Sequence, residues 1–315
     1  MTAHPHSTWH KVTALVGVVL FIVASWVLVR EITHLGVGAL LHALASVPHG
    51  VLGLVVGLVG INYVVLTLHD QLAFVYAGIR LSRFKIFLAS FVGYAVSNNL
   101  GFAMLSGGSA RYRFHGRWGV HPADLSRVVL FFATAFWVGI SLIGGLCLLL
   151  APPPGLAEIA PRPVVIAAGV LLLALLAGYG VLCTMQVGPL RIREFTIPLP
   201  KPQLLLAQLV VCTVDWLLAA ETIHALLPAP RPDFAVVLGA YVAAQVVGVV
   251  SHVPGSLGVF EGLMVLLLDD PMPSIIPALF VFRIVYYLVP LAVAIVILLV
   301  DGVLHQRQSR SHRPV

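Results

Sequence analysis

The chain has 315 residues, 60% of them hydrophobic and 10% charged, with a mean hydropathy of +1.03. Water-soluble domains carry about 25% charged residues, so this composition excludes an ordinary soluble enzyme and describes an integral membrane protein. The net charge of +6 does not indicate nucleic acid, because the cations form short clusters beside apolar runs, where they orient membrane spans.

Hydropathy divides the chain into eight apolar blocks, about 12–29, 50–79, 86–106, 125–150, 163–187, 203–227, 234–268 and 274–300. Most are long enough to cross a hydrocarbon core of about 30 Å as helix. The first follows Lys11 with no Ala-x-Ala-like site after it, so it reads as an uncleaved span. Gly53-x-x-x-Gly57 in the second reads as an internal helix contact. Cys147, Cys183 and Cys212 fall inside apolar runs without ligand spacing and read as small packing residues, and neither a metal nor a cofactor is expected.

Two blocks are interrupted, the third by Ser97-Asn98-Asn99-Leu100-Gly101 and the seventh by Ser251-His252-Val253-Pro254-Gly255-Ser256. A continuous helix is not expected at either. The breaks lie 154 residues apart and each is in the third block of its half, which predicts pseudo-repeat halves at 12–150 and 163–300.

The positive-inside rule separates two topologies. If all eight blocks cross, Lys and Arg divide nine inside against eight outside. If the third and seventh dip in and return, the division is fourteen against three, with Arg283 uncounted inside the last block. The expected fold is therefore an all-α polytopic membrane protein with six crossing helices and two re-entrant helical hairpins. Its halves are inverted, both termini are cytoplasmic, and a single transmembrane domain over 1–315 ends in a basic tail at 301–315. Re-entrant backbone needs burial in protein or a watery cavity, and inverted repeats around broken helices are the architecture of carriers.

Asp215, Glu221, Glu261 and Arg283 lie in apolar runs, where each would cost at least about 2.5–3.5 kcal/mol facing lipid. Each is expected to face inward, either as half of a structural ion pair or as a functional group. Asp70 sits at the cytoplasmic interface or one to two turns inside it. In the first hairpin, Gly107 and Gly108 make a turn with exposed amides before Arg111 and Arg113; this either binds a lipid phosphate or anchors headgroups. In the second, Pro254, Gly255 and Gly258 open a short helix, and Glu261 either pairs with Arg283 or receives a cationic headgroup. Arg283, Tyr286 and Tyr287 share a face by three- and four-residue spacing, which either holds a phosphate or sugar or forms an interfacial aromatic belt with a snorkelling arginine, and His252 is the histidine to test as a proton carrier.

With those residues in view, the chain resembles the lysylphosphatidylglycerol synthase transmembrane-region family. That family includes the flippase half of the multiple peptide resistance factor and stand-alone YbhN-like proteins. The resemblance rests on Asn98-Asn99-Leu100-Gly101-Phe102 with Ser106-Gly107-Gly108-Ser109-Ala110-Arg111-Tyr112-Arg113, on Pro254-Gly255-Ser256-Leu257-Gly258-Val259-Phe260-Glu261, and on Arg283-x-x-Tyr286-Tyr287-x-x-Pro290. Ser256 stands where the family usually has a second glycine.

The resemblance implies a carrier in the bacterial cytoplasmic membrane that moves an aminoacylated or similarly modified phospholipid between leaflets, lowering surface negative charge against cationic antimicrobial peptides. Arg111, Glu261 and Arg283 are carried over by motif position, with Asp70 weaker, and Asn98 and Asn99 join the expected lipid site. The family's soluble aminoacyltransferase domain does not follow here, so the chain is not expected to be an enzyme, and a separately encoded synthase supplies the lipid. The competing reading is a non-transporting subunit that docks a lipid-modifying or envelope enzyme.

Overall fold

A computed structural model gives the architecture. It describes isolated positions between 22 and 34, then 36–100, 111, 113–116, 118–120, 122–185, 190–192, 195–197, 199–251, 253–269 and 275–311. Gly101, Gly107 and Gly108 of the first break, and His252, lie outside the described residues.

Helices dominate: α1 (Val37–Ser46), α2 (His49–Ala77), α3 (Arg83–Leu100), α4 (Pro122–Gly139), α5 (Gly145–Leu150), α6 (Leu156–Ile159), α7 (Arg162–Met185), α8 (Pro202–Leu226), α9 (Phe234–Ser251), α10 (Val259–Leu268), α11 (Ile276–Phe282) and α12 (Val289–Ser311). Wider π-helical turns join α4 to α5 at Ile140–Gly144 and α11 to α12 at Arg283–Leu288, and a 3-10 turn at Pro254–Ser256 separates α9 from α10.

Six segments are long and apolar enough to cross a membrane: His49–Ala77, Arg127–Leu150, Arg162–Met185, Pro202–Leu226, Phe234–Ser251 and Ile276–Val303. The protein is a multi-pass membrane protein. The expected number is six as well, but the membership differs. Most of the first apolar block lies outside the described residues, and Phe234–Ser251, the first arm of a broken block, qualifies by itself.

Local chemistry sets the ends of these helices. Gly78 stops α2 in a left-handed conformation (φ 72°), its N–H reaching Phe74 and Val75 carbonyls, a turn glycine makes at little cost. Leu227 ends α8 in extended backbone because Pro228 follows it. Buried area then ranks the helices: Arg127–Leu150 is more than half buried, whereas α7 is exposed almost all round, with Val170, Leu171 and Leu175 uncovered. Such a face suits lipid rather than water.

Three features depart from expectation. α1 falls between two apolar blocks and packs on α11. Residues 301–311 continue α12 as helix instead of forming a tail. Leu190–Ile192 and Phe195–Ile197 pair as a short antiparallel β-ribbon, where Pro189 and Pro198 bar a helix and apolar and polar residues alternate. Among the described residues nothing lies within 4 Å of a Cβ placed on Gly53 or Gly57. The three cysteines are free and buried.

The loop after α5 docks on the end of α10. The Gly155 N–H donates to Leu267 O at 3.1 Å, and a Cβ on Gly155 would stand 1.7 Å from Leu266 O. Only glycine fits so close a backbone approach. Gly155→Val is therefore expected to lower the melting temperature in detergent by several degrees, an effect of about 1–3 kcal/mol; an unchanged melt would refute this docking.

Candidate functional site

The third and seventh apolar blocks meet where α3, which stays helical through residues 97–100 of the expected first break, packs against the 3-10 turn at Pro254–Ser256 and against the π turn of Arg283–Leu288. Between them lies a cavity of about 180 Å³. Tyr94, Ser97 and Asn98 of α3 line one side and Tyr241, Gln245 and Ser256 another. His69 of α2 and Asp215 and Trp216 of α8 complete the wall with Tyr286 and Tyr287. Polar groups thus face a space within otherwise apolar spans.

The α2 face that reaches this centre follows helical periodicity. Asn62, Leu66, His69 and Ala73 recur at three- and four-residue steps, and all are buried. Asn62 joins three elements: its Nδ2 donates to Asp215 Oδ1 at 2.8 Å and to Asp215 O at 2.9 Å, while the Tyr286 hydroxyl donates to its Oδ1 at 2.7 Å. Tyr63 donates its hydroxyl to Tyr286 O at 3.2 Å. Gln245 Nε2 donates to the Tyr241 and Tyr287 hydroxyls at 2.9 and 3.2 Å.

Of the expected charged residues, Asp215 is on this wall, Glu221 lies partly exposed with its Oε2 3.4 Å from His224 Nδ1, and four others form ion pairs outside the lining. Arg111 forks onto Asp70, Nε to Oδ1 at 3.0 Å and Nη2 to Oδ2 at 2.9 Å, with Asp70 at 0% and Arg111 at 6% exposure. Its guanidinium lies over the Tyr94 and Phe132 rings at 4.7 and 4.8 Å. Gly93 makes room, because a Cβ there would come within 3.2 Å of Arg111 Cζ.

At the second break, Arg283 is 2% exposed. It donates through Nε to Glu261 Oε1 at 2.8 Å, through Nη2 to the same oxygen, and through Nη1 to Gly255 O at 2.9 Å. Glu261 Oε2 accepts the Gly258 N–H at 2.9 Å, so the carboxylate also caps α10. The turn carries a left-handed run, Gly255 at φ 62°, Ser256 at 53° and Gly258 at 77°. Ser256 bears a conformation that costs a residue with a Cβ about 1–2 kcal/mol.

The remaining expected residues are also placed. Arg113 pairs with Asp301 at 3.0 Å, near the middle of α12. Asn99 is buried and donates to Ala95 O at 2.8 Å and Tyr287 O at 3.3 Å. Arg283, Tyr286 and Tyr287 lie in a π turn, which rotates them apart from the single α-helical stripe that spacing suggests: Arg283 turns to Glu261, and the two tyrosines reach the cavity. Asn98, Tyr286 and Tyr287 thus line the cavity, whereas Asp70, Arg111, Glu261 and Arg283 are committed to one another behind it.

Comparison with known proteins follows the same landmarks. Residues 14–294, which hold both breaks and every residue of the two buried ion pairs, match the lysylphosphatidylglycerol synthase transmembrane region. The chain belongs to this family. The uncharacterized protein slr0712 of Synechocystis sp. is 32% identical over 316 residues, covering 98% of each chain. The inner membrane protein YbhN of Escherichia coli is 28% identical over 250 residues, covering 76% of this chain and 77% of that one.

Sequence reasoning passed over Asn62 and Gln245 and left the role of Asp215 open. The signal was present for Asn62 and His69, which are two helical turns apart in an apolar span and so share a face.

Proposed function

We propose that this family member is a phospholipid carrier that passes an aminoacylated or similarly modified headgroup through the central cavity while the acyl chains stay in the bilayer. The observation that carries the reading is the cavity itself: a space of about 180 Å³ with Asn98, Asp215, Gln245 and His69 on its wall, between α3 and the helix break at Pro254–Ser256. A dry structural core would be filled instead. The volume suits part of a polar headgroup and excludes two acyl chains.

Two re-entrant hairpins form the gate in this reading. α10, with ten residues, is about 15 Å long and too short to cross. Its end docks on the loop after α5 through Gly155 and Leu267, which supports a return to the side where Arg127–Leu150 finishes. The symmetrical spacing of the breaks and the fourteen-to-three charge division favour inverted halves with both termini cytoplasmic. The buried pairs Asp70–Arg111 and Glu261–Arg283 hold the two hairpins against the fixed spans. The lipid arrives already modified by a separate enzyme.

The test is leaflet-resolved transport of lysylphosphatidylglycerol in reconstituted vesicles. Wild-type protein is expected to move the lipid, and Ala219→Phe, which fills the cavity from α8, to reduce the rate at least about tenfold. Overpacking costs about 1–3 kcal/mol, so variant and wild type are compared at equal monodisperse reconstitution. Transport unaffected by Ala219→Phe, or an inert wild type, overturns the reading.

A further inference from the structure

Among the described residues, Asp215 is the carboxylate on the cavity wall, and no lysine or arginine lines that wall. A carboxylate withdrawn from bulk water is costly without a positive partner. Asn62 gives it a neutral hydrogen bond, and His69 Nε2 stands 3.7 Å from Oδ2, beyond hydrogen-bond range. The neighbouring guanidiniums are already taken: Arg111 by Asp70 and Arg283 by Glu261.

A second observation points into the same space. His69 is 5% exposed, and its Nδ1 has no hydrogen-bond partner among the described residues, although the side chain lines the cavity. Buried polar atoms are ordinarily satisfied.

Seven aromatic residues also line the wall, beside small, aliphatic and neutral polar ones. Tyr94, Phe132 and Tyr287 have an arginine over one face. Phe136, Trp216, Tyr241 and Tyr286 line the cavity without a cation over them among the described residues. A carboxylate among aromatic side chains attracts a soft cation and repels a phosphate.

We infer that the cavity binds an organic ammonium group, with its charge on Asp215, an N–H available to His69 and its carbon substituents against the rings. The phosphate of a lipid then stays outside this chamber. In its lipid form the inference rests on the carrier reading; the ammonium chemistry is shared by a lipid headgroup and a free amine.

Calorimetric titration of the full chain in nanodiscs of phosphatidylglycerol, which contain no amine, tests this. The probes are tetramethylammonium, ethanolamine, short-chain phosphatidylethanolamine and glycerol phosphate. The three ammonium probes are expected to bind wild-type protein saturably and glycerol phosphate not at all. Asp215→Asn is expected to weaken ammonium binding about tenfold or more and Phe136→Leu several-fold, with Asp215→Glu retaining it. Should Asp215→Asn fail to fold, Phe136→Leu decides.

Absence of saturable ammonium binding, undiminished affinity in the decisive variant, or equal binding of glycerol phosphate overturns the inference. Tighter binding of the lipid than of ethanolamine supports a headgroup as the source, and equal binding overturns the lipid form while supporting an amine site. Ammonium binding without lipid transport sinks the carrier and leaves the site; lipid transport indifferent to Asp215→Asn does the reverse.

Discussion

Arg111→Met is expected to be the most damaging single substitution behind the cavity. It leaves Asp70 at 0% exposure with its forked partner gone, and removing one member of a buried pair costs about 3–5 kcal/mol. The methionine keeps the chain's bulk over Tyr94 and Phe132, so the loss is mainly electrostatic. Unfolding by increasing denaturing detergent should show the drop, and Asp70→Asn combined with Arg111→Met should recover much of it by removing the stranded carboxylate. A double variant as unstable as the sum of the singles would show that the two residues do not act as a pair. In either case the pair joins α2 to the chain at Arg111, so the damage should spread to the segment around Arg111.

Glu261→Gln is expected to come next, through a different failure. Arg283, 2% exposed, would lose its carboxylate and keep Gly255 O as an acceptor, and the Gly258 N–H at the start of α10 would lose a charged cap. The pair contributes through the buried charge, again about 3–5 kcal/mol, and the cap adds roughly 0.5–2 kcal/mol. Limited proteolysis or hydrogen exchange should show α10 and the Pro254–Ser256 turn opening before the spans melt. Glu261→Asp tests the geometry separately: it keeps the charge but is one methylene short of reaching both Arg283 and Gly258. Equal protection of α10 in wild type and Glu261→Gln would refute the role assigned to this carboxylate.

The Glu261–Arg283 pair was one of two outcomes open from sequence, because a glutamate two turns from a proline-glycine break can serve either an arginine or a ligand. Burial decides between them. Arg283 emerges deep inside the last span, where a guanidinium must be paired, and the π turn aims it back at the break. Asp70 is the clearer lesson. Its position near the end of a 29-residue helix fits an interface as well as an interior. What fixes it is Arg111, 41 residues later, arriving from a segment whose path composition does not reveal.

Composition and block length by themselves determined that this is a helical membrane protein, because apolar runs of this length have no other stable state in either solvent. Proline and glycine placed the break at Pro254–Ser256, since those residues deny the helix its hydrogen bonds or its dihedrals at fixed positions, whereas residues 97–100, where asparagine also suggested a break, stay helical in α3. Three motifs in order were enough to place the family.

Only the tertiary structure decided which charges cancel one another and which one remains on the cavity wall. Asp215, Glu261 and Arg283 look alike along the chain, each an isolated charge in an apolar run, and neither Asp70 nor Arg111, in its cluster with Arg113, announces its partner. Their roles separate only when helices from distant parts of the sequence bring partners within 3 Å of four of them and leave Asp215 with an amide, a distant imidazole and a ring of aromatic faces. Charge interactions fall steeply with distance and burial, and both are properties of packing that no single stretch of sequence contains.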